Sequence, residues 1–213
     1  RKVTMQTRAN GCAWNPMEAF NFVLASEDHN LYTFDMRKPS RALMVHEDHV
    51  APVLDVDFSP TGTEFASGSY DRSVRVWGAQ DGRSRTVYHT KRMQRIFCVR
   101  ISADSRFVAT GSDDTNVRLW KAKANEKLGP LLPREVSKAQ YSEALVERHK
   151  HLPEVRRIAR HQHVPKSILK AKYKKDIMKK SIKRKDANRR KHSKPDSHEK
   201  KPARQERVWK VEQ

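Results

Sequence analysis

The sequence predicts an all-β set of propeller blades, the last three of a larger ring, followed by a basic α-helical extension that ends in a disordered tail. Three observations carry this reading. A 43-residue unit repeats through the first half, strand periodicity stops after Trp120, and positive charge concentrates beyond that point.

The repeat is visible in three segments, "FVLASEDHNLYTFD", "EFASGSYDRSVRVW" and "FVATGSDDTNVRLW". Asp28, Asp71 and Asp114 are 43 residues apart, and so are Phe34, Trp77 and Trp120. Each unit reads as an apolar strand, a Ser/Gly/Asp turn, and an alternating strand that ends on an aromatic, as in Val74, Val76 and Trp77 with Ser73 and Arg75 turned the other way. Upstream of each lies a further strand, "VLDVDFSP" or "CVRISAD", closed by a turn.

These residues resemble the WD-repeat family, whose blades run about 40–45 residues. The middle blade matches the hydrogen-bonded tetrad of that family at His49, Ser67, Asp71 and Trp77. Its role is structural, because a buried carboxylate and a buried indole N–H both need partners. In the neighbouring units Arg92 stands where His49 does and Phe34 where Trp77 does. A propeller closes with about 4–8 blades, so three imply a longer protein, and the absence of an initiator Met at Arg1 agrees.

Residues 1–120 carry 16 Lys+Arg against 14 Asp+Glu, a net of +2, whereas residues 121–213 carry 29 against 11, a net of +18. A half this basic favours a polyanion, nucleic acid ahead of an anionic membrane surface. No apolar run approaches the roughly 18 residues that span a bilayer. Cys12 and Cys98 sit in apolar strand-like runs and read as reduced, buried thiols, with no disulfide framework.

The domain limits expected are blades over 1–121, a basic helical domain over 122–182 and a disordered tail over 183–213. "KLGPLLP" marks the first boundary. Pro133, Pro153 and Pro165 each start a helix; the first carries Tyr141, Leu145 and Leu152 along one face, the second Val155, Ile158 and Ala159, the third Leu169, Tyr173 and Ile177. The third helix is crowded with lysines, Lys166, Lys170, Lys172, Lys174, Lys175, Lys179 and Lys180, and is expected to order only against a polyanion or a partner. Beyond it the chain lacks apolar periodicity, and Lys183, Arg184 and Lys185 with Arg189, Arg190 and Lys191 have the spacing of a nuclear-import signal.

Arg156, Arg157 and Arg160, followed by Lys166 and Lys170, are candidate phosphate contacts, because guanidinium forks match phosphate oxygens bidentately. His161 and His163, beside these arginines, read as polar phosphate-contact groups; a metal site is not expected, since i,i+2 histidines diverge on a helix and the arginines repel a cation. No nucleophile, acid–base or Gly-rich phosphate motif can be assembled, so neither enzymatic activity nor a cofactor is expected.

The run "KANEKLGPLLPREVSKAQYSEALVERHKHLPEVRRIARHQHVPKSILKA", with "RRKHSKP" over Arg189–Pro195, resembles the Sof-type family of WD-repeat proteins. The resemblance implies a nuclear, nucleolar assembly factor of the small-subunit processome. Its partners would be the ribosomal RNA precursor, a small nucleolar ribonucleoprotein and other processome proteins. An alternative of another class rests on "LYTFDMRK", where Phe34, Asp35 and Arg37 resemble the WDxR ending by which some WD-repeat proteins attach to the adaptor of a cullin-RING ubiquitin ligase.

Overall fold

The computed structural model describes residues 2–194, 197–198 and 200–212. The chain forms two compact units, one of residues 1–122 with 164–213 and one of residues 123–163.

In the first unit, strand β1 (Lys2–Met5) precedes three antiparallel sheets. Blade 1 is β2 (Ala9–Trp14), β3 (Asn21–Ser26), β4 (Leu31–Asp35) and β5 (Met44–His46). Blade 2 is β6 (Val53–Phe58), β7 (Glu64–Ser69), β8 (Val74–Gly78) and β9 (Ser84–Tyr88). Blade 3 is β10 (Ile96–Ile101), β11 (Phe107–Ser112) and β12 (Val117–Lys121), three strands where the others have four. The repeat shows directly in the register, which sets Phe22 opposite Phe34, Phe65 opposite Trp77 and Val108 opposite Trp120.

The turn between the second and third strands of each blade explains its invariant Asp. His29, Arg72 and Thr115, one residue after Asp28, Asp71 and Asp114, all adopt left-handed backbone, with φ of 76°, 64° and 63°. That conformation costs a residue with a Cβ about 1–2 kcal/mol. The preceding carboxylate offsets it by accepting the next amide but one, from Asn30 at 3.1 Å, Ser73 at 3.0 Å and Asn116 at 3.4 Å.

Two apolar clusters join the blades face to face. Val23, Ala25 and Leu31 of blade 1 meet Val53, Val56, Phe58, Phe65 and Trp77; Ala66, Val74 and Val76 of blade 2 meet Met93, Ile96, Val99 and Val108. Gly68 permits the second contact, since a Cβ there would lie 2.5 Å from Ile96 Cγ2 and 2.7 Å from Val99 Cγ2. Polar bonds reinforce it: Asp55 accepts the Val99 amide at 2.9 Å and Asp57 the Ile101 amide at 2.8 Å. Blade 2 is therefore covered on both faces, and even Arg75 is buried, donating to Ser84 Oγ at 2.8 Å.

The expectation of buried thiols fails, because both cysteines are exposed. Cys12 lies between Gly11 and Ala13, which approach blade 2, so alternation turns it to the opposite face. Cys98 neighbours Val99, which packs on blade 2, and shares the uncovered face of blade 3 with Val117 and Leu119.

The second unit contains α1 (Pro133–His149) and α2 (Pro153–Ala159), each with its proline at the first helical position, where a missing N–H costs nothing. Tyr141, Leu145, Leu152 and Ile158 are exposed.

After residue 163 the chain returns to the first unit. Helix α3 (Lys166–Lys191) runs 26 residues, past the expected limit at 182, so both basic clusters expected in a disordered tail are helical. A short helix α4 (Ala203–Glu206) and strand β13 (Val208–Glu212) follow. Strand β13 pairs antiparallel with β1, Val3 opposite Val211, and Val208 joins Met5 against Tyr32, Phe34 and Ala42. A segment of five residues needed this nonlocal partner to become a strand. Pro195, the end of the "RRKHSKP" motif, lies outside the described residues.

Candidate interaction site

The tetrad residues of blade 2 form one chain of hydrogen bonds. Trp77 Nε1–H donates to Ser67 Oγ at 2.8 Å, and His49 bonds Ser67 Oγ through Nε2 and Asp71 Oδ2 through Nδ1, each at 2.8 Å. Asp71 also accepts from Ser73 N, Ser73 Oγ and Val50 N. Burial lowers the pKa of His49. Burial works against ionisation of Asp71, yet the contacts with His49 and Ser73 outweigh it and pull its pKa down to about 2. One proton arrangement satisfies every group, with Ser67 donating to Nε2 and Nδ1–H donating to Asp71. The chain is closed and buried, and serves structure.

The other blades satisfy the same positions differently. In blade 3, Trp120 Nε1–H donates to Thr110 Oγ1 at 2.9 Å, Asp114 binds Arg118, and Arg92 is exposed. In blade 1, Phe34 lies against Phe22 with ring centroids 5.8 Å apart. Asp28 there takes the Tyr32 hydroxyl at 2.5 Å and the Arg207 guanidinium at 3.3 Å. The ionic partner of blade 1's repeat Asp thus comes from the far end of the chain.

Of the three WDxR-like residues, Phe34 is only 2% exposed and packs in the blade, so it presents no surface to an adaptor. Asp35 is nearly buried and holds exposed Arg37 in a fork, accepting from its backbone N at 2.8 Å, Nε at 3.1 Å and Nη2 at 2.9 Å. The Arg37 guanidinium lies 4.3 Å over the Phe20 ring. Its hydrogen bonds hold the Asp35 carboxyl below the usual carboxylate range.

Arg156 and Arg157 are exposed on α2, Arg160 caps its end, and His161 and His163 follow in the loop, all in the unit of residues 123–163. Lys166, Lys170, Lys183, Arg184, Lys185, Arg189, Arg190 and Lys191 all stand exposed on α3, in the other unit. The basic candidates therefore fall on two bodies.

Helix α3, expected to order only against a polyanion or a partner, is seated by lysines on the chain's own blades. Lys172 Nζ donates to Asp48 Oδ1 at 2.9 Å, Lys175 Nζ to the His49 carbonyl at 3.1 Å and Lys179 Nζ to Glu47 Oε2 at 2.7 Å, while Ile168 is buried. Burial opposes ionisation of Asp48, but Lys172, the Ser84 amide at 2.8 Å and buried Arg75 hold its pKa low. Burial and neighbouring Lys179 lower the pKa of Lys175. The signal was available: positions 168, 172, 175 and 179 share one helical face, and the acidic pair Glu47–Asp48 directly precedes the tetrad histidine.

The model of the WD domain, G-beta repeat, matches residues 40–78 and 83–121, and the Sof1-like domain matches residues 122–208. The chain belongs to the Sof-type WD-repeat family. "DDB1- and CUL4-associated factor 13" of Danio rerio is 52% identical over 197 residues, 92% of this chain and 44% of that protein. The protein of the same name in Homo sapiens is 53% identical over the same shares. "Protein SOF1" of Saccharomyces cerevisiae is 51% identical over 190 residues, 89% of this chain and 39% of that protein. This Sof-type chain thus spans under half the length of these relatives, and the Sof1-like range includes α1 and α2 as well as α3.

Proposed function

We propose that this protein is a non-enzymatic assembly factor of the small ribosomal subunit, working in the nucleolus within the small-subunit processome. The blades dock proteins, and the basic half contacts the ribosomal RNA precursor, a small nucleolar ribonucleoprotein and neighbouring factors. The observation that carries this reading is the Sof1-like match over residues 122–208 on a segment most of whose arginines and lysines stand exposed. Contact with several phosphates makes RNA binding fall steeply with salt. Ultraviolet cross-linking of the full-length protein in cells tests it: precursor RNA or small nucleolar RNA attached within residues 134–207 is expected, and the absence of both sinks the direct RNA contact.

A second reading, a substrate receptor of a cullin-RING ubiquitin ligase, draws on the name of the vertebrate relatives and on Arg37, held outward by Asp35. Arg37→Ala is expected to abolish recovery of the ligase adaptor while leaving sedimentation with pre-ribosomes unchanged. Unchanged recovery removes this reading without touching the first.

A further inference from the structure

Helix α3 is used on one face only. With about 100° of turn per residue, Ile168, Lys172, Lys175 and Lys179 fall within an arc of about 60°, which meets the loop Glu47–His49. Away from that arc runs a ridge of apolar side chains at i, i+4 and i+8: Leu169, 51% exposed, Tyr173, 68%, and Ile177, 48%. On one side of this ridge lies the row Lys166–Lys170–Lys174, and on the other the row Lys172–Asp176–Lys180–Arg184. Beyond the seated Lys172, every member of both rows is exposed, and Asp176 is their one acid.

An apolar centre between charged rows is the anatomy of a protein–protein contact rather than of a phosphate clamp. Phosphate oxygens gain nothing from Leu169 and Ile177, whereas a second helix can lay its own side chains into the grooves beside an i±4 ridge. The charge of the rows selects what accompanies those side chains. The opposite face of α3 already realises the same chemistry, with lysines seated on Glu47 and Asp48.

We propose that the outward face of α3 docks an amphipathic acidic helix of a protein partner. Apolar residues of that helix at i and i+4 interleave with Leu169, Tyr173 and Ile177. Its Asp or Glu side chains on either flank face Lys170 and Lys174 on one side and Lys180 and Arg184 on the other. The length of α3, 26 residues or about 39 Å at 1.5 Å per residue, accommodates a partner helix of several turns.

The test places a benzophenone amino acid at position 173 of the full-length protein in cells, with the same group at exposed Trp209 as control. After irradiation, a protein adduct that resists nuclease is expected at 173, mapping by mass spectrometry to a helical segment with Asp or Glu beside apolar i, i+4 residues. Lys170→Glu with Lys180→Glu is expected to lower its yield about tenfold or more, since like charges are then opposed across the contact. Acid-to-lysine changes in the mapped segment restore it. Hydrogen exchange over residues 166–179 confirms that the double variant keeps α3 seated. A nuclease-sensitive RNA adduct, a basic or neutral partner segment, a yield indifferent to charge reversal, or no adduct at 173 beyond the Trp209 control overturns the proposal. The RNA outcome would do so while supporting the assembly-factor reading, so the two fail separately.

Discussion

Removing a single oxygen, by Ser67→Ala, is expected to cost more stability than any surface change in the blades. Ser67 is fully buried, and its hydroxyl serves two other buried groups, accepting from Trp77 Nε1 and bonding His49 Nε2, each at 2.8 Å. Alanine leaves both without a partner. An orphaned buried polar group costs about 1–3 kcal/mol, so the pair predicts a loss of about 2–6 kcal/mol. That is a large part of the roughly 5–15 kcal/mol that holds a domain folded. Thr110→Val in blade 3 is the internal comparison, since Thr110 serves the half-buried Trp120 indole at 2.9 Å and has no histidine to satisfy. The expected loss there is about 1 kcal/mol. Equilibrium urea unfolding of the full-length protein, followed by tryptophan fluorescence, measures both. The reasoning fails if Ser67→Ala loses less than about 1 kcal/mol, or no more than Thr110→Val.

The left-handed turns offer a gain. Thr115→Gly is expected to stabilise by up to about 1–2 kcal/mol and Arg72→Gly by somewhat less, because the β-branched threonine is the more strained; loss of stability in both would remove the strain argument. Acid weakens the blades in two stages. His46, lowered to about 4 by burial, and His49, also lowered, bind more protons when unfolded, so stability falls as pH drops below 6.5. Asp71, ionised down to about 2, adds a further loss as pH falls through 3.8 towards 2. A urea midpoint that stays flat between pH 6.5 and 4 contradicts the first stage. Lys172→Ala with Lys179→Ala is expected to raise hydrogen exchange of residues 168–180 about tenfold, the effect of about 1.4 kcal/mol lost from two partly exposed ion pairs. Unchanged protection would show that the lysines do not seat α3. Arg207→Ala is expected to speed exchange over 208–212, since it removes the ionic tie to Asp28; equal rates would leave the strand to its backbone pairing with β1.

Much of the blade architecture was legible because its determinants are local. A 43-residue spacing, an Asp that caps a left-handed turn and an aromatic at the strand end all act within a few residues of one another, so the pattern survives in one dimension. The tetrad was readable for the same reason: its four side chains come from fixed positions of one repeat. Cys12 and Cys98 were misread because an apolar strand states that one of its faces is buried without stating which residues share that face. Phe34 was misread as a docking residue because an aromatic that replaces a repeat Trp inherits its burial.

The fate of the basic half lay outside the reach of the sequence. Composition established the net charge of +18 beyond residue 120 and its preference for anions, but not which anions. The lysine face of α3 meets the chain's own Glu47, Asp48 and His49 carbonyl, more than 120 residues away. Likewise, five residues that looked like the end of a tail form a strand against β1, and Arg207 partners Asp28. Charge acts through space rather than along the chain, so its sign was written in the sequence while its partner was chosen only when the blades brought an acidic loop beneath the helix.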